Sequence, residues 1–162
     1  MNRLQPLPLQ ELRLLSEGRS WPVDQSIAGL ASLTPVRGRV RALHHGTVLE
    51  VEGTAETIIT LCCDRCLQTY NHALAATARE LLEIAVARPE EEEVLFAAED
   101  PVERLDPGGN FDPERWLFEQ LSLQLPLVNR CGPDCPGPPL PAEDADGNGD
   151  IDPRWAALRS LR

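Results

Sequence analysis

The sequence predicts an α+β fold: an antiparallel sheet built on a central hairpin, with two C-terminal helical segments and a four-cysteine staple. Three observations carry this expectation. Apolar and polar residues alternate over 36–44 and 47–61, on either side of a two-residue turn, His45-Gly46. Two Asp-Pro pairs, Asp112-Pro113 and Asp152-Pro153, each stand ahead of an apolar-periodic stretch, the arrangement of a helix N-cap followed by proline at the first helical position. All five cysteines fall in two short clusters, Cys62-Cys63-Asp64-Arg65-Cys66 and Cys131-Gly132-Pro133-Asp134-Cys135.

The 162 residues read as one α+β domain over 1–135, with an acidic loop at 87–110 inside it. A Pro/Asp-rich linker and a C-terminal helix follow over 136–162. With 15 Pro and 11 Gly, much of the chain is turn and irregular structure. An apolar content of 42% allows a modest core, which a metal cross-link would reinforce.

Residues 6–15 read as an opening strand, and 24–31 as a short helix. The hairpin follows. A turn at His45-Gly46 sets Arg41 opposite Glu50, Arg39 opposite Glu52, and Val40 opposite Val51, so one face is a charge ladder and the other is apolar. In that register only Arg37 lacks an acidic residue opposite it. The second strand runs into the first cysteine cluster. Residues 69–86 suit either a strand or an Ala-rich helix; a strand is chosen because a bare hairpin needs a further partner. A helix is expected from Asp112 to about Leu125, burying Leu117, Leu121 and Leu125 beside Phe118, with Glu119 and Gln120 facing water. Pro126 stops it. Four prolines within 136–141 keep the chain extended before the last helix, whose Trp155, Leu158 and Leu161 share one face.

The net charge of −11 is uneven. Residues 1–88 balance nine Arg against nine acids, whereas 89–162 set six Arg against 17, and lysine is absent. Such a surface repels phosphates, so non-specific nucleic-acid binding is not expected, and a basic protein partner fits the acidic half. The start of the chain lacks the pattern of a secretory signal, and no apolar run is long enough to span a bilayer. A cytoplasmic protein with no membrane contact is expected, a setting where paired cysteines are more often metal ligands than disulfides.

Cys63-x-x-Cys66 has the spacing with which two thiolates grip one tetrahedral ion from a tight turn, and Cys131-x3-Cys135 offers a second such turn. Together Cys63, Cys66, Cys131 and Cys135 form a candidate structural zinc site. Metal-free buried thiols and a redox or metal-sensing CxxC are the alternatives; the redox reading lacks a helix signal after Cys66. Cys62 is expected to point to the opposite side of its strand. Residues 144–155 imitate the start of a calcium loop, but Trp155 stands where a bidentate Glu is needed, so an acidic turn is the expectation. His44 and His45 sit at the hairpin tip and His72 is isolated. With no nucleophile–base set and no phosphate-binding loop, neither an enzyme nor a small-molecule substrate is expected.

Cys63-Asp64-Arg65-Cys66-Leu67 resembles the Cys-x-Arg-Cys-Leu signature of the YceD family of large-subunit ribosomal RNA accumulation proteins. The later order is similar too: Phe111-Asp112 opening a helix with Glu119, Leu121 and Leu123, then Leu125-Pro126, Cys131-x3-Cys135 with Gly137, and Asp152-Pro153-Arg154-Trp155. The resemblance spans about residues 35–162 and implies a non-enzymatic role in synthesis, processing or stability of 23S ribosomal RNA during large-subunit assembly. The expected partner is then a basic ribosomal or assembly protein. Any contact with 23S ribosomal RNA would fall to Arg37, Arg39, Arg65 or Arg154.

Overall fold

Alternation over the hairpin does produce a two-faced sheet, and the remaining elements close over its apolar side. The computed structural model describes residues 4–85 and 104–138. The chain runs β1 (Leu7–Pro8), α1 (Leu9–Leu14), β2 (Arg19–Gln25), β3 (Val36–His44), β4 (Val48–Cys62), β5 (Thr69–Ile84), β6 (Arg104–Leu105), β7 (Asn110–Phe111) and α2 (Pro113–Ser122). Five strands form one sheet in the order β2-β3-β4-β5-β6, while β1 and β7 make a small separate ladder. Neighbours in the large sheet are antiparallel except β5 and β6, so the sheet is mixed rather than purely antiparallel.

One sheet face is the core. Val36, Val40 and Ala42 of β3, Leu49, Val51 and Ile59 of β4, and Leu74, Leu82 and Ile84 of β5 are all buried on it. Leu9 and Leu12 of α1 and Trp116, Leu117 and Leu121 of α2 cover that face. Each such side chain contributes about 1.5–3 kcal/mol by leaving water. Arg37, Arg39, Arg41, Glu52, Thr54 and Glu56 lie exposed on the opposite face.

The hairpin register differs from the expectation by two residues. Gly46, at φ 89°, is the first central residue of the turn, and the His45 N–H meets the Val48 carbonyl at 2.8 Å. A glycine there supplies the positive φ that a primed hairpin turn requires. Arg41 therefore faces Glu52, Arg39 faces Thr54, and Val40 faces Gly53. Arg37 faces Glu56 and has Asp24 of β2 at 3.6 Å, so Arg39, not Arg37, is the arginine of this row with no acid opposite. An even shift leaves every side chain on its expected face, which is why the alternation reads correctly although the pairing does not.

Two early expectations fail. Residues 6–15 are mainly helical, because burial of Leu9 and Leu12, three apart, outweighs the apparent strand alternation of Leu7 and Leu9. Asp24 and Gln25 belong to β2, paired with Arg37 and Val36, so no helix forms over 24–31. The strand choice for 69–86 is matched by β5. The C-terminal helix, the calcium-like loop and most of the acidic loop lie outside the described residues.

α2 begins as expected and ends early. The Asp112 carboxylate accepts hydrogen bonds from the N–H groups of Glu114 (3.0 Å) and Arg115 (3.1 Å), with proline next in the chain. The buried stripe is Trp116, Leu117 and Leu121, whereas Leu125 lies beyond the helix and is exposed. Gln120 does not face water alone: its side-chain N–H donates to Glu80 of β5 at 3.2 Å. Asp112→Ala is expected to lower stability by about 1 kcal/mol, the usual worth of an N-cap, in equilibrium urea unfolding. A change below about 0.3 kcal/mol would show the cap to be idle.

Candidate metal centre

The β4–β5 connection is a tight turn built around its cysteines. The Cys63 N–H donates to the Gln68 carbonyl and the Leu67 N–H to the Cys63 carbonyl, both at 2.9 Å. Leu67 takes φ 62°, a left-handed conformation that costs a side-chain-bearing residue about 1–2 kcal/mol, so surrounding bonds must hold it. The second turn closes with the Cys135 N–H on the Gly132 carbonyl at 3.3 Å. A reciprocal pair joins the two turns. The Asp64 N–H donates to the Asn129 carbonyl at 2.9 Å, and the Asn129 N–H donates to the Asp64 carboxylate at 2.7 Å.

These bonds bring together Cys63, Cys66, Cys131 and Cys135, whose sulfurs all lie within 4.8 Å of one another. Cys63 is 3.8 Å from Cys135, and Cys66 is 3.7 Å from Cys131. Metal–sulfur bonds of about 2.3 Å give a tetrahedron with an edge of about 3.8 Å, so the spacing suits four thiolates around one such ion. Cys63 and Cys66 are buried, and Cys131 and Cys135 half-buried. The N–H groups of Cys66 and Arg65 directed at the Cys63 sulfur lower that thiol to about 6. Cys131, through its hydrogen bond with Cys135 and its burial, is pushed up to about 12. Four sulfurs this close cannot all carry charge unless a cation lies between them.

Cys62 points away, as alternation requires; its S–H donates to the Leu67 carbonyl at 3.4 Å and it is exposed. No helix follows Cys66, since the chain goes through Leu67 directly into β5, so the device that activates redox thiols at a helix N-terminus is missing here.

The candidate arginines are not brought together. Arg65 is exposed in the first turn, and its guanidinium lies across Gly137, where an added Cβ would be 3.6 Å from Nη2. Arg37 and Arg39 stand opposite Glu56 and Thr54 of β4, which places them about 23 Å and about 30 Å along that strand from Cys63. There Arg39, Arg41 and Arg79 border an open concavity of about 660 Å³ floored by Gly53, Thr54 and Thr77. Arg154 is outside the described residues.

Sequence reasoning missed three features of this end of the molecule. Asp64 and Asn129 clamp the turns, and Gly137, at φ 85°, lies against the Arg65 guanidinium. Leu67, Leu127 and Val128 leave much of their surface in water, Leu127 completely so. The run Leu125-Pro126-Leu127-Val128 just past the helix was the readable signal: apolar residues with no periodic face to bury them.

A mixed sheet with four thiols converging between its β4–β5 turn and the segment after a covering helix defines an α+β protein with a candidate four-cysteine metal centre. More particularly, the chain belongs to the YceD family: the family model described as large ribosomal RNA subunit accumulation protein YceD matches residues 51–162, which include both cysteine clusters. It is also similar to uncharacterized protein Mb2951c of Mycobacterium bovis and uncharacterized protein Rv2926c of Mycobacterium tuberculosis. Each is 31% identical over 126 residues, covering 74% of this chain and 58% of the relative. The chain thus spans a little over half the length of these relatives. No solved structure matches it. No helix among the described residues is long and apolar enough to cross a membrane.

Proposed function

We propose that the chain is a non-enzymatic cytoplasmic factor that promotes accumulation of large-subunit ribosomal RNA, through synthesis, processing or stability of the 23S species. In this reading Cys63, Cys66, Cys131 and Cys135 hold one structural zinc. The observation that carries it is the closed four-sulfur centre: four protein ligands fill a tetrahedron and leave no open position for substrate, which is the structural rather than the catalytic kind of site. The centre then serves to display what surrounds it, namely Arg65, Leu67, Leu127 and Val128. Exposed apolar residues grouped with a guanidinium are a partner surface. A chain of net charge −11 favours a basic partner, here a ribosomal or assembly protein.

Direct contact with 23S RNA is the second reading. It is favoured by Arg39, which faces Thr54 and has no acidic partner among the described residues.

One panel tests both readings in a strain lacking the gene, complemented with wild type, Arg65→Ala, Leu127→Asp or Arg39→Ala. Mature 23S RNA and its precursors are quantified against 16S. Arg65→Ala and Leu127→Asp are expected to stay folded and metal-loaded yet to leave 23S RNA near the level of the deletion. Full restoration by both would remove the protein-docking reading. Loss in Arg39→Ala alone would move the contact to the open sheet face and its RNA reading.

A further inference from the structure

Among the described residues, β5 has an unused side. It pairs with β4 from Thr69 to Glu83, but on its other side β6 meets only Glu83 and Ile84. Along Thr69 to Leu82 no other strand lies beside it among the described residues. The Ile84 N–H turns toward the hairpin, to the Thr47 carbonyl at 2.8 Å, while the Ala85 N–H turns outward, to the Leu105 carbonyl at 2.9 Å. Alternation therefore aims the backbone N–H and C=O groups of Asn71, Ala73, Ala75, Thr77 and Arg79 at the free side.

Edges of this length are normally blunted with proline, charge or a bulge. The opposite edge of the sheet is blunted, since β2 carries Pro22 between Arg19 and Asp24. β5 is not. From Thr69 to Ala78 it has no proline, carboxylate or guanidinium, and its one-to-one register with β4 contains no bulge.

We propose that this edge is a dimer interface, on which β5 of a second copy pairs antiparallel about a two-fold axis at Ala75. The free stretch Thr69–Leu82 is bounded by the cysteine turn and by β6, and a two-fold axis at Ala75 pairs Thr69 with Leu81, so this register uses all of the edge but its last residue. It sets Ala73 opposite Thr77, Asn71 opposite Arg79, and Tyr70 opposite Glu80. No like charges meet. A register with Arg79 facing its own copy would oppose two guanidinium groups and leave half the edge unpaired.

Charge selects a copy of this chain over a basic strand. Between Thr69 and Leu82 the edge holds one guanidinium, Arg79, and one carboxylate, Glu80, so it offers a cationic segment no row of acids. The whole excess of acids lies in 89–162, and repulsion between separated exposed charges is screened over about 8 Å at physiological salt. The interface is isologous and closes at two subunits.

Sedimentation equilibrium of the full chain, across a hundredfold range of micromolar concentrations and beside two variants, tests the proposal. Wild type should give twice the chain mass of 17.9 kDa. Ala75→Pro removes an N–H that no bond among the described residues uses and should give the single-chain mass with an unchanged far-ultraviolet circular dichroism spectrum. Ala75→Glu, which sets two carboxylates face to face at the axis, should do the same and serves if the proline variant fails to fold. A wild-type protein that stays monomeric over the whole range would overturn the interface, as would a dimer that a folded Ala75 variant leaves intact.

Discussion

Cys63→Ser is expected to abolish metal binding and lower the thermal midpoint by about 10 °C. Cys63 is fully buried and touches both turns, with Cys66 beside it in its own turn and Cys135 3.8 Å away in the other. An ion held a thousandfold above its dissociation constant stabilises the fold by about 4 kcal/mol. In a chain of this size each kcal/mol moves the midpoint by about 2–4 °C. The loss should be local in structure. The sheet core of Val40, Leu49, Val51 and Leu82 contains none of the sulfurs, so far-ultraviolet circular dichroism should keep its strand signal while the Asp64–Asn129 clamp opens. Elemental analysis should find about one zinc in wild type, none in Cys63→Ser, and an unchanged content in Cys62→Ser, whose sulfur points elsewhere. A strong chelator should reproduce the shift in wild type. If chelation leaves the melting curve where it was, the centre is not a metal staple.

The second large effect is expected at Trp116. Its indole is buried against the backbone of Gly53, where an added Cβ would come within 2.7 Å of the ring. Its Nε1–H donates to Glu80 at 2.8 Å, beside the Gln120 donor. Trp116→Ala should cost about 3–5 kcal/mol, combining lost burial with the cavity left behind. Trp116→Phe keeps most of the packing and loses the indole donor, which should cost about 1–2 kcal/mol because Glu80 retains Gln120. The same surface read from the sheet side predicts that Gly53→Val overpacks by about 1–3 kcal/mol. Urea midpoints at constant m-value measure all three. A Trp116→Ala loss below about 1 kcal/mol would mean that α2 does not clamp the sheet through this ring.

Much of this arrangement was legible before the fold. The alternation of Val36, Val40 and Ala42 with Arg37, Arg39 and Arg41 assigned both faces of β3 correctly, because side-chain direction in a strand has period two and needs no partner to define it. The same property hid the register. A shift of two residues keeps every face, so only the turn could decide, and there Gly46 takes the first central position, with Thr47 second, rather than the second position after His45. The helix at Leu9–Leu14 was misread because Pro6 and Pro8 imply extended chain, while the contact that makes it helical, Leu12 against the sheet, is tertiary.

Residue types at short spacing were enough for the two cysteine turns, the Asp112 cap, the outward sulfur of Cys62 and the face of each hairpin strand. Every one of these depends on chemistry within a few residues along the chain. That Cys63 meets Cys135 and Cys66 meets Cys131, that Glu80 receives Trp116 and Gln120, and that β5 is left with a free edge among the described residues were decided only when distant segments packed. Those pairings join residues 36 to 72 positions apart, and no local period encodes them. The four-sulfur centre lies on both sides of this division: local spacing put two thiols in each turn, and the fold brought their sulfurs to within 4.8 Å.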